Sequence, residues 1–172
     1  MRRKIIVKSL PLEYQRFIDG SGPHGTIICA MGTVKVAFKS QYRTLLMQTF
    51  SNLKQRVIFK TDRNGYYGSN ILMTKWLPEQ KLLLSHPNVK LFITHTGRNS
   101  ALEAIEEGIP VLALPMFCDQ FRLAAQLMNH TKMAISLDMN TVTTEVLINT
   151  IEELVTNDTY RNNARRASVV YR

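Results

Sequence analysis

The chain has 172 residues, which is enough for one globular domain with a buried core, and its 45% apolar and 20% charged residues are typical of a folded domain. The net charge of +9 fits either a solvated basic surface or attraction for an anionic ligand such as a diphosphate. A nucleic-acid partner is not expected, because the basic residues are spread along the chain without an aromatic-rich binding motif.

The number and spacing of cysteines and histidines argue against a disulfide-rich protein and against a metal-binding protein. The two cysteines, Cys29 and Cys118, are too few for a disulfide framework, and both stand in apolar runs, so we expect buried free thiols rather than a bridge. Neither lies at metal-ligand spacing from another cysteine or a histidine, so we predict no metal.

Targeting and membrane signals are weak. The basic N-terminus lacks the apolar segment of a signal peptide, and the longest apolar run, residues 109–118, contains two prolines and is too short to span a membrane. Two glycosylation sequons, at Asn129 and Asn157, are compatible with a lumenal location.

Residues 1–24 form a basic lead-in with a short helix over residues 11–18, and residues 25–172 form the predicted domain. The first half of that domain begins with a strand buried on both faces, residues 25–30, and its loop, Met31 to Thr33. Helices are predicted over residues 41–54 and 79–84, strands over 57–59 and 71–74, and a loop over 61–69.

In the second half, strands and helices alternate regularly. Strands are predicted over residues 91–94, 111–114 and 133–137, and helices over 99–107, 120–128, 144–155 and 158–170. Gly108 and Pro110 end the first of these helices. The alternation predicts an α/β fold, a Rossmann-like parallel sheet with helices on both faces. Polar residues follow the strands at the carboxyl edge, where such sheets bind ligands.

The stretch from Trp76 to Gln120 resembles the donor-sugar signature of the UDP-glycosyltransferases, the family that includes the animal UDP-glucuronosyltransferases. The matching positions are Trp76, Pro78, Gln80, Leu83, Leu84, His86, Pro87, Phe92 to His95, Gly97, Asn99, Ser100, Glu103 to Ile105, Gly108, Pro110, Asp119 and Gln120. Three positions depart from the pattern. Ala30 replaces a serine, Glu79 is inserted before Gln80, and Thr96 replaces the first of two glycines.

The resemblance implies the residues of a donor site. Trp76 would stack on uracil, the alternative being a core tryptophan, and Gln80 would bind near the ribose and base. His95 would bind the diphosphate together with the start of the following helix. The implied donor-binding set is Thr33, Trp76, Gln80, His95, Gly97, Asn99, Ser100, Glu103, Asp119 and Gln120.

For several of these side chains, the sequence also allows a role other than ligand binding. Asn99 can also cap the helix, and Glu103, one turn later, can accept both ribose hydroxyls. Asp119 and Gln120 would form hydrogen bonds with the hydroxyls of the transferred sugar, and Asp119 could instead, or in addition, cap the next helix. Arg98 would either bind phosphate or face solvent. At Thr96 we expect a Cβ that blocks close approach of the backbone or requires an unfavourable φ.

As a whole, the resemblance implies the C-terminal domain of a GT-B-type glycosyltransferase. Such an enzyme transfers a hexosyl or glucuronosyl group from UDP-glucose or UDP-glucuronic acid to the hydroxyl of a small lipophilic acceptor, without a cofactor. The acceptor site and the catalytic histidine belong to an N-terminal half that we expect to be absent here, as is a C-terminal transmembrane segment, so no catalytic residue is assigned. Full-length relatives are expected on the lumenal side of the endoplasmic reticulum membrane.

Two alternatives stand beside this interpretation. One is a non-catalytic UDP-sugar-binding or regulatory fragment that pairs with a homologous glycosyltransferase chain. The other is a general anion- or nucleic-acid-binding Rossmann domain driven by the net charge, which steep salt dependence without preference for UDP would indicate.

Overall fold

The computed structural model describes residues 9–32 and 39–171. The strands are β1 Thr26–Ala30, β2 Arg56–Lys60, β3 Gly65–Tyr67, β4 Ile71–Thr74, β5 Val89–Thr94, β6 Val111–Ala113 and β7 Ala134–Ser136. The helices are α1 Leu12–Asp19, α2 Ser40–Ser51, α3 Gln80–Leu84, α4 Arg98–Glu107, α5 Asp119–Asn129, α6 Thr144–Thr156 and α7 Asp158–Tyr171. The predicted donor-binding residue Thr33 lies outside the described residues.

The sheet has seven strands in the order β3-β4-β2-β1-β5-β6-β7. All neighbours pair in parallel except β3, which pairs antiparallel with β4 at the edge. The predicted Rossmann-like fold is therefore confirmed. The prediction of a plain loop over residues 61–69 is wrong, because β3 lies within it. This strand is too short and exposed to show an alternating pattern.

Two apolar layers cover the two faces of the sheet. Ile28 and Ala30 of β1 face the layer built with α1, α3, α4, α5 and α7, whereas Ile27 and Cys29 face the layer built with α2 and α6. Every residue of β1 is buried, which explains its continuous apolar sequence. Cys29 is a buried free thiol, as predicted, but the same prediction for Cys118 is wrong, because this residue is exposed just before α5.

Helix α1 packs on the sheet. Phe17 and Ile18 are buried in the first apolar layer, and the Arg56 guanidinium donates a hydrogen bond of 2.7 Å to the Phe17 carbonyl. Residues 12–19 of the predicted lead-in thus contribute to the core of the described domain.

The side of β1 on which successive strands are added changes between β4 and β5. After β1 the chain builds β2, β3 and β4 on one side, and then returns to form β5 on the other side of β1. Ala30 and Thr94, the last residues of β1 and β5, lie opposite each other. In open parallel sheets a crevice forms outside the carboxyl ends of strands at such a switch point, and ligands bind there.

Candidate ligand-binding site

A cleft of about 360 Å³ opens at this switch point. Basic side chains contribute to its wall, because Lys60 and Arg98 are among the lining residues, whereas no acidic residue is among them in the described part of the chain. The full lining is Ala30, Gly32, Lys60, Gln80, His95, Gly97, Arg98, Asn99 and Ser100. The cleft is therefore suited to an anionic ligand.

The His95 ring is held between two glycines. A Cβ built on either Gly32 or Gly97 would lie 2.8 Å from the imidazole, so neither position accepts a larger residue without displacing the ring. Burial lowers the pKa of His95 below its usual value, Lys60 lowers it further, and a hydrogen bond with the Ala30 backbone acts in the opposite direction. The imidazole is thus predominantly neutral at pH 7 until an anion approaches.

The start of α4 faces the cleft without a side-chain cap. Gly97 occupies the N-cap position with extended backbone, and its carbonyl accepts the first helical hydrogen bond, from Ala101 N at 2.9 Å. The amide groups of Arg98 and Asn99 belong to the first turn, which has no acceptor within the helix. The prediction that Asn99 caps this helix is wrong, because Arg98 is already helical and Asn99 is the second residue of α4.

Thr96 adopts the left-handed backbone conformation, with φ at +60°. The expected unfavourable φ is thus confirmed. Its side chain is fully buried, and the hydroxyl lies 2.6 Å from the His95 carbonyl and 3.0 Å from the Gln120 carbonyl. The Cβ and hydroxyl consequently pack against α5, and Thr96 does not line the cleft.

Gln80 and Ser100 line the cleft, and Gln80 joins them to Glu103 on α4. The Gln80 Nε2 donates to Glu103 Oε2 at 2.5 Å and lies 3.4 Å from Ser100 Oγ. The inserted Glu79 is the N-cap residue of α3, so Gln80 begins that helix and points at α4. The structure therefore brings together the two residues expected near the ribose.

Trp76 follows β4, and its side chain is 77% exposed. The alternative of a core tryptophan is therefore wrong. The Lys60 Nζ lies 5.5 Å from the centroid of the Trp76 ring, which connects this ring to the cleft. The sequence interpretation missed Lys60. Its position at the end of β2, next to β1, was the available signal once the strand order is known.

Asp119 and Gln120 begin α5 and differ in exposure. Asp119 is exposed, and the N-cap position belongs to Cys118, so the alternative of Asp119 as the cap is wrong. Gln120 is buried, and its Oε1 accepts hydrogen bonds from the backbone of Met116 at 2.9 Å and of Phe117 at 3.3 Å. These bonds close the loop after β6, while the predicted contacts of both residues with a sugar stay predictions.

A parallel sheet with an anion-suited cleft and an uncapped helix start at its switch point defines a Rossmann-type nucleotide-binding domain. Within that class, the chain belongs to the UDP-glucoronosyl and UDP-glucosyl transferase family, which matches residues 4–172. The predicted family membership is confirmed. No helix among residues 9–32 and 39–171 has both the length and the apolar character needed to cross a membrane.

Curated relatives cover nearly all of this chain. Human UDP-glucuronosyltransferase 2B15 is 31% identical over 166 residues, which are 95% of this chain and 31% of that protein. UDP-glycosyltransferase UGT5 of Dactylopius coccus is 34% identical over 168 residues, with the same two coverages. The chain thus spans less than a third of the length of these relatives.

Solved structures share the fold. Os79 from O. sativa in complex with UDP superposes with a TM-score of 0.82 at 23% identity, covering 94% of this chain and 40% of that one. The glycotransferase of kitacinnamycin superposes with a TM-score of 0.76 at 18% identity, covering 98% of this chain and 42% of that one. These superpositions support the same Rossmann-like α/β fold.

Proposed function

We propose that this chain is the donor-binding half of a UDP-glycosyltransferase, and that the cleft between β1 and α4 binds a UDP-sugar. The observation that carries the proposal is the placement of His95. This side chain of the family signature lies between Gly32 and Gly97, beside the uncapped start of α4, in a cleft that also contains Lys60 and Arg98.

The diphosphate would lie against the first turn of α4. The free backbone amides there and the positive end of the helix favour anions. The His95 ring would donate to a phosphate oxygen, and the Ser100 hydroxyl and Asn99 amide line the same wall. Lys60, a basic residue, lines the same cleft. As UDP departs, these groups would stabilise its developing negative charge.

The uridine would lie between Trp76 and α3. The exposed Trp76 ring offers an aromatic face for the uracil base, and such stacking contributes about 1–3 kcal/mol. The Glu103 carboxylate, held by Gln80 in the unliganded cleft, would accept the ribose hydroxyls. Ligand hydroxyls would then replace one hydrogen bond already present, so the carboxylate does not need to be reoriented.

The reaction proposed for the whole protein is transfer of a hexosyl or glucuronosyl group to the hydroxyl of a small lipophilic acceptor. The names of the relatives support the transfer of a glycosyl group from a UDP-sugar, since one is a UDP-glucuronosyltransferase and the other a UDP-glycosyltransferase. Os79, the relative in complex with UDP, supports the nucleotide. Asp119 and Gln120, at the start of α5, are the proposed contacts of the transferred sugar.

A donor panel tests the proposal. Equilibrium dialysis of the chain with UDP-glucuronic acid, UDP-glucose and ADP-glucose is expected to show saturable binding of the UDP-sugars and weaker binding of ADP-glucose. The Asp119→Asn variant is expected to weaken the binding of UDP-sugars more than the binding of UDP, because Asp119 would contact the sugar and would act on UDP only through the pKa of His95, which its charge raises. Equal binding of all three donors at low salt, lost at high salt, would instead support a general anion-binding domain.

A further inference from the structure

We infer that Tyr14, on α1, is a positioning residue that holds Trp76 in place for the nucleotide base. The inference rests on the proposed function of the cleft. It concerns a residue outside the family signature and outside the cleft lining, 62 positions before Trp76 in the chain.

A short chain of hydrogen bonds links the two residues. The Tyr14 hydroxyl donates to Thr74 Oγ1 at 2.9 Å, and that hydroxyl in turn donates to the Trp76 carbonyl at 2.8 Å. Thr74 Oγ1 also lies 3.2 Å from the Trp76 amide, from which it accepts. The Thr74 hydroxyl therefore gives one hydrogen bond and accepts two, which is its full capacity.

These hydrogen bonds affect the position of the Trp76 ring, because they hold the backbone from which the ring projects. Thr74 is buried at the end of β4, whereas the Trp76 side chain is almost entirely outside the core. Because packing does not fix the ring, its position depends on its backbone and on Lys60. The Thr74 hydroxyl holds the backbone of Trp76 by hydrogen bonds to its carbonyl and amide. The amide of the preceding residue, Lys75, donates to Asn64 Oδ1 at 2.7 Å.

Tyr14 connects this turn to a rigid part of the molecule. Its ring packs against the first apolar layer, and Phe17 and Ile18 on the same helix are buried there. Helix α1 thereby acts as a fixed support for the turn after β4. The tyrosine hydroxyl, rather than the ring, makes the connection, so removing it tests the inference with little change in packing.

The test measures the affinities for UDP and inorganic pyrophosphate, and the fluorescence of Trp76, which is the only tryptophan in the sequence. In the Tyr14→Phe variant the Kd for UDP is expected to rise about three- to tenfold, as for loss of one hydrogen bond, while the Kd for inorganic pyrophosphate, which has no base, stays unchanged. In the ligand-free variant the fluorescence anisotropy of Trp76 is expected to fall, because the ring moves more freely. Thr74→Val should show both effects and Thr74→Ser neither.

The matched control is Tyr67→Phe, which removes the hydroxyl of an exposed tyrosine on β3. It should behave as the unmodified chain in both measurements. Unchanged Trp76 anisotropy in Tyr14→Phe, or an equal loss of affinity for UDP and pyrophosphate, would overturn the inference. Failure of the unmodified chain to bind UDP would instead contradict the proposed function, and with it the part of the inference that concerns the ligand.

Discussion

The Thr96 hydroxyl lies 3.0 Å from the Gln120 carbonyl of α5 and 2.6 Å from the His95 carbonyl, so the residue that replaces a signature glycine joins the His95 loop to the next helix. A left-handed conformation costs a non-glycine residue about 1–2 kcal/mol, and one net hydrogen bond contributes about 1 kcal/mol. The two effects are of similar size. The threonine is therefore accommodated by contacts on the side of the loop that faces away from the cleft.

Replacing this residue separates the two effects. Thr96→Val keeps the strained φ and loses the hydroxyl, so it should destabilise the fold by about 1–3 kcal/mol. Thr96→Gly loses the same bonds but relieves the strain, and should be more stable than Thr96→Val by about 1 kcal/mol. Urea unfolding of both variants measures the difference. A Thr96→Val variant as stable as the original chain would show that the hydroxyl contributes nothing.

Two glycine substitutions should have opposite consequences. Gly97→Ala has a permitted backbone, with φ at −60°, but its Cβ would lie 2.8 Å from His95, so we expect UDP affinity to fall at least about tenfold with little loss of stability. Gly108→Ala lies far from the cleft, at φ +62° and 3.3 Å from the Arg165 backbone, so we expect loss of about 1–2 kcal/mol and unchanged affinity. Calorimetric titration and thermal unfolding of both variants check the contrast. The same pattern in both would contradict it.

The pH dependence of donor binding should report His95. Burial lowers the pKa of the free imidazole, and a bound diphosphate raises it, so binding takes up protons. The affinity should therefore rise as pH falls through the pKa of the bound state, and level off below the pKa of the free state. UDP-glucose is the suitable ligand, since its phosphates have no terminal group that titrates near pH 6.

Titrations from about pH 8 to about pH 5 measure this effect, with His95→Gln as the control. The variant should show a flat profile apart from any global unfolding. Affinity that falls toward acidic pH in the original chain, or an unchanged slope in His95→Gln, would exclude the proposed phosphate contact.

The two thiols should differ in reactivity. Burial raises the pKa of the Cys29 thiol far above its usual value, because desolvation disfavours the thiolate, whereas Cys118 is exposed. A thiol reagent at mild alkaline pH is expected to modify Cys118 in the folded chain and both residues after denaturation. The Cys118→Ser variant should be unreactive when folded. Rapid modification of that variant would contradict the burial of Cys29.

Local sequence patterns predicted the sheet and much of the candidate site. Buried parallel strands such as β1 give continuous apolar runs, and the signature places His95, Gln80 and Glu103 at strand and helix ends that the fold brings together. The predicted end of α4 at Gly108 is also confirmed, with the left-handed φ that glycine adopts easily.

The parts that local patterns did not predict depend on distant contacts. Lys60 reaches the cleft only because β2 lies next to β1, and Tyr14 reaches Thr74 only because α1 packs on the sheet. The N-cap of α4 is Gly97 and not the predicted Asn99, because a glycine N-cap leaves no side-chain signal in the sequence. The exposure of Cys118 follows from the turn of the loop after β6, which Gln120 holds from inside the fold.

Calorimetric titration of the chain with UDP tests the central claim most directly, with Trp76→Ala and His95→Ala measured beside it. We expect saturable binding at one site, with an affinity for UDP about five- to a hundredfold lower in Trp76→Ala than in the unmodified chain, and also lower in His95→Ala, with both variants folded. Absence of binding by the folded, unmodified chain would contradict the assignment of the β1–α4 cleft as the nucleotide site. Binding that both variants retain at full strength would contradict it equally.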